Sequence, residues 1–111
     1  MSHAKVYVNG QEVGYWPYGY NSFYFDITKQ LMPGKKNTLA VRLENLPESS
    51  RWYPGAGLYR NVHVIVTENA HIPVWGTYVT TPTATKEFAK VNVRTQIVLP
   101  EGADASKYSV K

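Results

Sequence analysis

Apolar and polar positions alternate along most of this chain, and the dominant period is two. In residues 4–9, Val6 and Val8 fall on one side and Lys5 and Tyr7 on the other, the pattern of a half-buried strand. Asn9-Gly10 follows at once, the strongest short signal for a hairpin. Residues 11–15 are predicted to return antiparallel, with Val13 and Tyr15 sharing a face and Gly14 as a weak point. Residues 22–27 set Phe23, Phe25 and Ile27 against Tyr24 and Asp26. Residues 37–45 set Leu39, Val41 and Leu43 against Arg42 and Glu44, again a strand with one buried face. Residues 59–67, 74–81 and 88–99 complete the predicted strands. In the last of these, Val91, Val93, Thr95, Ile97 and Leu99 hold one face.

Between the strands, Asp26-Ile27-Thr28 offers capping side chains for a single helical turn, which Pro33-Gly34 ends. The Thr-Pro-Thr-Ala-Thr run at 81–85 is predicted as a turn. At residues 69–73 the strand signal stops and Pro73 breaks any ladder, which predicts a linker. Every predicted element is β. About five strands before the linker and two or three after it are few for closed sandwiches. The expectation is a fragment lacking strands at both ends.

Composition narrows the function classes. Twelve Lys and Arg against eight Asp and Glu give a net charge of +4. Among the basic residues only Lys35-Lys36 are adjacent, and the others are spread singly along strands and turns, so no concentrated phosphate-binding footprint is expected and no nucleic-acid partner. The absence of cysteine removes disulfides, thiolate metal sites and thiol nucleophiles. Met1-Ser2-His3-Ala4 has no basic, apolar leader character, and no run reaches the ~18–20 apolar residues of a membrane span. No membrane partner is expected, and the compartment stays open. Nine Tyr and three Trp against three Phe favour rings with a polar handle, suited to half-wet surfaces and to carbohydrate faces.

Candidate chemistry concentrates in residues 49–60, SSRWYPGAGLYR. Arg51, Trp52 and Tyr53 place a planar cation beside two amphipathic rings, and Pro54, Gly55 and Gly57 turn the backbone. A second aromatic loop, Trp16-Pro17-Tyr18-Gly19-Tyr20-Asn21, precedes it. Both are also suited to closing the end of a sandwich. His3, His63 and His71 lack metal-ligand spacing, so no metal or cofactor is expected. Ser49 and Ser50 have no base beside them and suit a turn. Asp26, Glu44, Glu48 and Glu68 sit at edges, turns or outward positions, the ordinary places for solvated carboxylates and not for a catalytic pair.

Three pieces stand in a set order: AKVYVNGQEVG, YNSFYFDITKQLMPGKKNTLAVRLEN and SSRWYPGAGLYRNVHV. Over residues 4–68 they resemble the amino-terminal sugar-binding domain of family 2 glycoside hydrolases, the β-galactosidase, β-glucuronidase and β-mannosidase group. Residues 74–111 resemble the opening strands of the immunoglobulin-like domain that follows in that family. The resemblance implies a partial jelly-roll β-sandwich over 1–68, a linker at 69–73, and a partial immunoglobulin-like sandwich over 74–111. It also implies that the catalytic acid and nucleophile lie on a (β/α)₈ barrel outside this chain, which would then be non-catalytic and have that barrel as its partner. In family members an Asp of the loop before Gly-Leu-Tyr-Arg often reaches the sugar; the corresponding place here is Ser50 or Arg51. Ser50, Arg51, Trp52 and Tyr53 are therefore the candidate substrate-binding residues, with a galactoside-like carbohydrate as ligand. Exposed edges predict self-association or strand exchange. Two other readings stand beside this one: an autonomous carbohydrate-binding module using Trp16, Tyr18, Trp52 and Tyr53 as a platform, and an adhesion-type β-sandwich module.

Overall fold

The structure is a computed structural model that describes residues 2–48, 55 and 57–110. It is all-β with antiparallel sheets, as the alternation predicts. The chain divides into two units, Met1–Val62 and His63–Lys111.

The first unit is built on β1 (Ser2–Val8), β2 (Gln11–Trp16) and β3 (Leu39–Glu44), in the order β2-β1-β3. The central strand has a neighbour on each side, and its inward residues form the core: Ala4, Val6 and Val8 are 3%, 8% and 1% exposed. Val6 faces Gly14 on one side and Val41 on the other, and Val8 faces Gln11 and Leu39. Burying these side chains contributes about 1.5–3 kcal/mol for a full valine.

The hairpin between β1 and β2 forms as its sequence demands. Asn9 and Gly10 both have positive φ, 51° and 82°, the type I′ turn that matches strand twist. Asn9 does more than turn the chain. Its amide nitrogen donates to the carbonyl of Gln30 and to Asn37 Oδ1, both at 2.8 Å, and its Oδ1 accepts from the Thr38 amide at 3.0 Å. Asn37 in turn accepts from the Met32 amide and donates to the carbonyls of Met32 and Lys35. One turn residue thus ties the hairpin to residues 30–38.

The predicted helical turn is a 3-10 turn, Thr28–Gln30. Asp26 Oδ1 accepts from both the amide and the hydroxyl of Thr28, at 2.9 and 2.6 Å. Lys35 N–H donates to the Met32 carbonyl across Pro33-Gly34, with Gly34 at φ 72°, a type II arrangement.

Expectations about strands change: the predicted strands 74–81 and 88–99 stand as Thr77–Ala84 and Ala89–Thr95, and three more differences fall before residue 68. The β1–β2 register skips Val13, because Val6 pairs with Gly14 and Tyr7 with Glu12; this bulge takes Val13 out of the face of Tyr15. Residues 22–27 keep alternating burial, with Phe23, Phe25 and Ile27 half-buried, but belong to no ladder among the described residues. Phe25 lies over Gly14, where an added Cβ would stand 2.2 Å from the ring, and Phe23 stacks on Trp16 at 5.7 Å. Residues 59–67 likewise join no described ladder.

The second unit contains one hairpin, β4 (Thr77–Ala84) with β5 (Ala89–Thr95). Most of the predicted 81–85 turn lies inside β4, where the register shifts between Thr80 and Thr83 around Pro82. A bulge is one of the few places where a strand tolerates proline. The turn falls at Thr85–Phe88 instead, with the Thr85 hydroxyl accepting from the amides of Glu87 and Phe88. Tyr78 faces Arg94 across the ladder, with the guanidinium 5.6 Å from the ring centroid. His71 and Val98 make an isolated antiparallel bridge, and a short 3-10 turn, Ala105–Lys107, is capped by Asp104.

Candidate functional site

Among the described residues, a hydrogen bond joins two aromatic stretches of the first unit. Tyr59 Oη donates to the Gly19 carbonyl at 3.1 Å. Tyr18 and Tyr20 flank that glycine with ring centroids 5.6 Å apart and planes tilted by 59°. The Arg60 guanidinium lies 5.4 Å from the Tyr59 ring centroid, within cation–π range. Tyr18, Tyr20 and Tyr59 are each about half exposed. Tyr59 is thereby fastened to the Trp16–Asn21 loop. Ring faces, phenol hydroxyls and a guanidinium together can stack on an apolar surface and exchange hydrogen bonds with hydroxyls.

Ser50, Arg51, Trp52 and Tyr53 lie outside the described residues. Trp16 is half-buried with its ring stacked on Phe23 at 22°, which removes it from an open platform. Tyr18 is exposed but tilted against Tyr20.

Two carboxylates of the first unit are engaged locally. Asp26 holds Thr28, and Glu44 pairs with Arg42 at 3.2 Å. Glu48 and Glu68 are exposed. His3 Nδ1 hydrogen-bonds the Tyr15 hydroxyl with the rings 6.1 Å apart, and the His71 ring meets the Glu68 carbonyl at 3.0 Å. Among the described residues no group of three or more His, Cys, Asp or Glu could hold a metal ion, and no helix is long and apolar enough to cross a membrane.

A feature that the sequence reading missed is a shallow depression of about 500 Å³ lined by Lys5, Glu12, Tyr15 and Glu44. The signal for it was the register: Lys5 faces Tyr15 on one neighbour and Arg42 on the other, so residues of three strands meet on one side of the sheet.

No protein-family model matches the chain. Among curated proteins, a β-galactosidase of Bacteroides ovatus is 43% identical over 97 residues, covering 86% of this chain. A putative β-glucuronidase of Formosa agariphila is 38% identical over 96 residues, also 86% of the chain. The chain belongs to the family 2 glycoside hydrolases. A β-galactosidase of Thermoanaerobacter pseudethanolicus, 31% identical over 124 residues and 93% of the chain, extends the same family 2 likeness. The match spans 11%, 9% and 17% of these three relatives' lengths, so this family 2 chain corresponds to a small part of larger glycosidases.

Proposed function

We propose that this chain is a non-catalytic, sugar-binding and structural segment of a family 2 glycoside hydrolase of β-galactosidase type, supporting the substrate site of a catalytic barrel that lies elsewhere. In this reading the first unit is part of a jelly-roll sandwich and the second the opening of an immunoglobulin-like one. The observation that carries it is the extent of the likeness: 86% of the chain matches, at 43% identity, just 11% of a β-galactosidase. The anchored Tyr59 supports this reading. A residue already held by a hydrogen bond costs less to order on binding than a free one. Arg51 donates to sugar hydroxyls, Trp52 and Tyr53 cover an apolar sugar face, and Ser50 shapes the approach. The retaining hydrolysis itself belongs to the barrel.

The test is a transplant. The homologous segment of the Bacteroides ovatus β-galactosidase is replaced by the matching part of this chain, and the hydrolysis of a chromogenic galactoside is followed. A folded, active chimera is expected, in which Arg51→Ala and Trp52→Ala raise KM by about tenfold, the loss of one good contact. A chimera indifferent to both substitutions overturns the substrate-site role. Saturable tryptophan-fluorescence changes when the 111-residue chain alone meets galactose or lactose would favour an autonomous binding module instead.

A further inference from the structure

The hairpin of the second unit has two unlike faces. Val79 pairs with Val93 and Thr77 with Thr95, and the Thr77 and Thr95 hydroxyls lie 3.5 Å apart, so these side chains share one side. Val91, two residues before Val93 on an unbroken strand, falls on the same side. Across the sheet, Tyr78 stands opposite Arg94 and Thr80 opposite Asn92, with the guanidinium over the Tyr78 ring. One face is therefore β-branched and largely apolar, and the other carries polar and cation–π cross-strand pairs of its own. Both are wet in the 111-residue chain: Val79, Val91 and Val93 are 56%, 56% and 62% exposed, against 60% for Tyr78.

Among the described residues of the second unit, none is buried. A lone hairpin is marginal in water, so the unit needs a second layer to dry one of its faces. The valine and threonine side is the one suited to it, because rows of β-branched side chains interdigitate with those of another sheet about 10 Å away. The source of that sheet follows from length. The part of this chain that matches the Bacteroides ovatus β-galactosidase makes up 11% of that protein, so a chain of this kind is joined to far more polypeptide than its own. Segments of one polypeptide meet at an effective concentration of about millimolar. A second copy has only its bulk concentration to offer, and loses that competition.

We propose that the Val79, Val91 and Val93 side of β4 and β5 is the inner face of a two-layer sandwich, whose second sheet comes from the same glycosidase polypeptide outside these 111 residues. The Tyr78 and Arg94 side stays in water. This assignment rests on reading the chain as a segment of a larger glycosidase, and adds to it which side of the hairpin is covered and by what.

The chain has no cysteine, so single cysteines report each face. Val93→Cys and Asn92→Cys, adjacent in sequence and on opposite sides, are placed in the 111-residue chain and in the chimera with the Bacteroides ovatus β-galactosidase. Alkylation at each is followed by peptide mass spectrometry. In the 111-residue chain the two should react at similar rates, whatever the chain concentration. In the chimera Val93→Cys should slow by at least about tenfold, since opening of the sandwich then limits its reaction, while Asn92→Cys keeps its rate. Val79→Cys and Tyr78→Cys repeat the comparison on β4, so a local disturbance of one strand does not decide the result. Equal rates on the two sides of an active chimera, or protection of Asn92→Cys alone, would overturn the proposal and leave the segment reading intact. Protection of Val93→Cys in the 111-residue chain that grows with its concentration would name a second copy as the occupant, and would overturn it as well.

Discussion

The chain uses the same valine alternation twice, with opposite results. Ala4, Val6 and Val8 are all under 9% exposed, while Val62, Val64 and Val66 are all above 50%. Both sets are small and aliphatic, and the period is the same. What differs is the neighbourhood: β1 has a strand on each side and aromatic residues brought to its sheet, and residues 60–68 have neither among the described residues. Alternation decides which side of a strand is apolar, and long-range pairing decides whether that side is dry. Substitutions at the two places should therefore differ sharply.

The largest effect is expected from Val8→Asp. At 1% exposure the new carboxylate has no partner, and the loss should exceed about 3 kcal/mol, seen in urea unfolding as collapse of the first sheet. Val64→Asp, in the same assay, should stay within about 0.5 kcal/mol. Equal losses at the two positions would erase the contrast.

Next is Gly14→Ala, whose Cβ would stand 2.2 Å from the Phe25 ring. Overpacking of this kind costs about 1–3 kcal/mol, and loss of the Phe25 ring-current shift on its neighbours in proton spectra should accompany it. Asn9→Ala should cost about 2 kcal/mol, since it removes a favoured positive-φ residue and three hydrogen bonds that hold residues 30–38. Asn9→Gly should recover only the part due to φ.

The smallest effect concerns the second unit. The Ser106 hydroxyl, and after it the Ser106 amide, holds the Asp104 carboxyl below its ordinary range. A depressed carboxylate contributes its stability above its unfolded pKa and loses it as pH falls through the folded value. The Ala105–Lys107 turn should therefore loosen only in acid, below the ordinary carboxylate range. Ser106→Ala should move the Asp104 titration upward in a carbon-detected pH series, and an unchanged midpoint would deny that the hydroxyl matters.

Much of the fold was legible because its signals are local. Asn9-Gly10 specifies its own turn, and Asp26 with Thr28 its own 3-10 turn. The β1 and β3 faces follow from alternation within each strand. The rest depended on partners distant in the chain. The bulge at Val13 goes with the Phe25 ring lying over Gly14, eleven residues away, and no period in residues 11–15 encodes that. Residues 22–27 and 59–67 carry strand composition, but a ladder also needs a second strand, which composition does not supply. Pro82 suggested a turn because proline removes a donor; the bulge in β4 accommodates it. At the candidate site, the aromatic loops were visible as residue types, whereas the Tyr59–Gly19 link joins residues forty positions apart. Ser50, Arg51, Trp52 and Tyr53, which the sequence singled out, lie outside the described residues.

The tethering of Asn9 also has a chemical consequence. An asparagine before glycine ages by deamidation, when the following backbone nitrogen attacks the side-chain carbonyl to form a succinimide. That attack needs the amide group to swing free. Here its nitrogen is held by Gln30 and Asn37 and its oxygen by Thr38, so the folded hairpin shields a bond that is short-lived in an open peptide. Deamidation at Asn9 would accumulate only during openings of the first sheet, and its slow rate in storage would be a covalent record of how often that sheet comes apart.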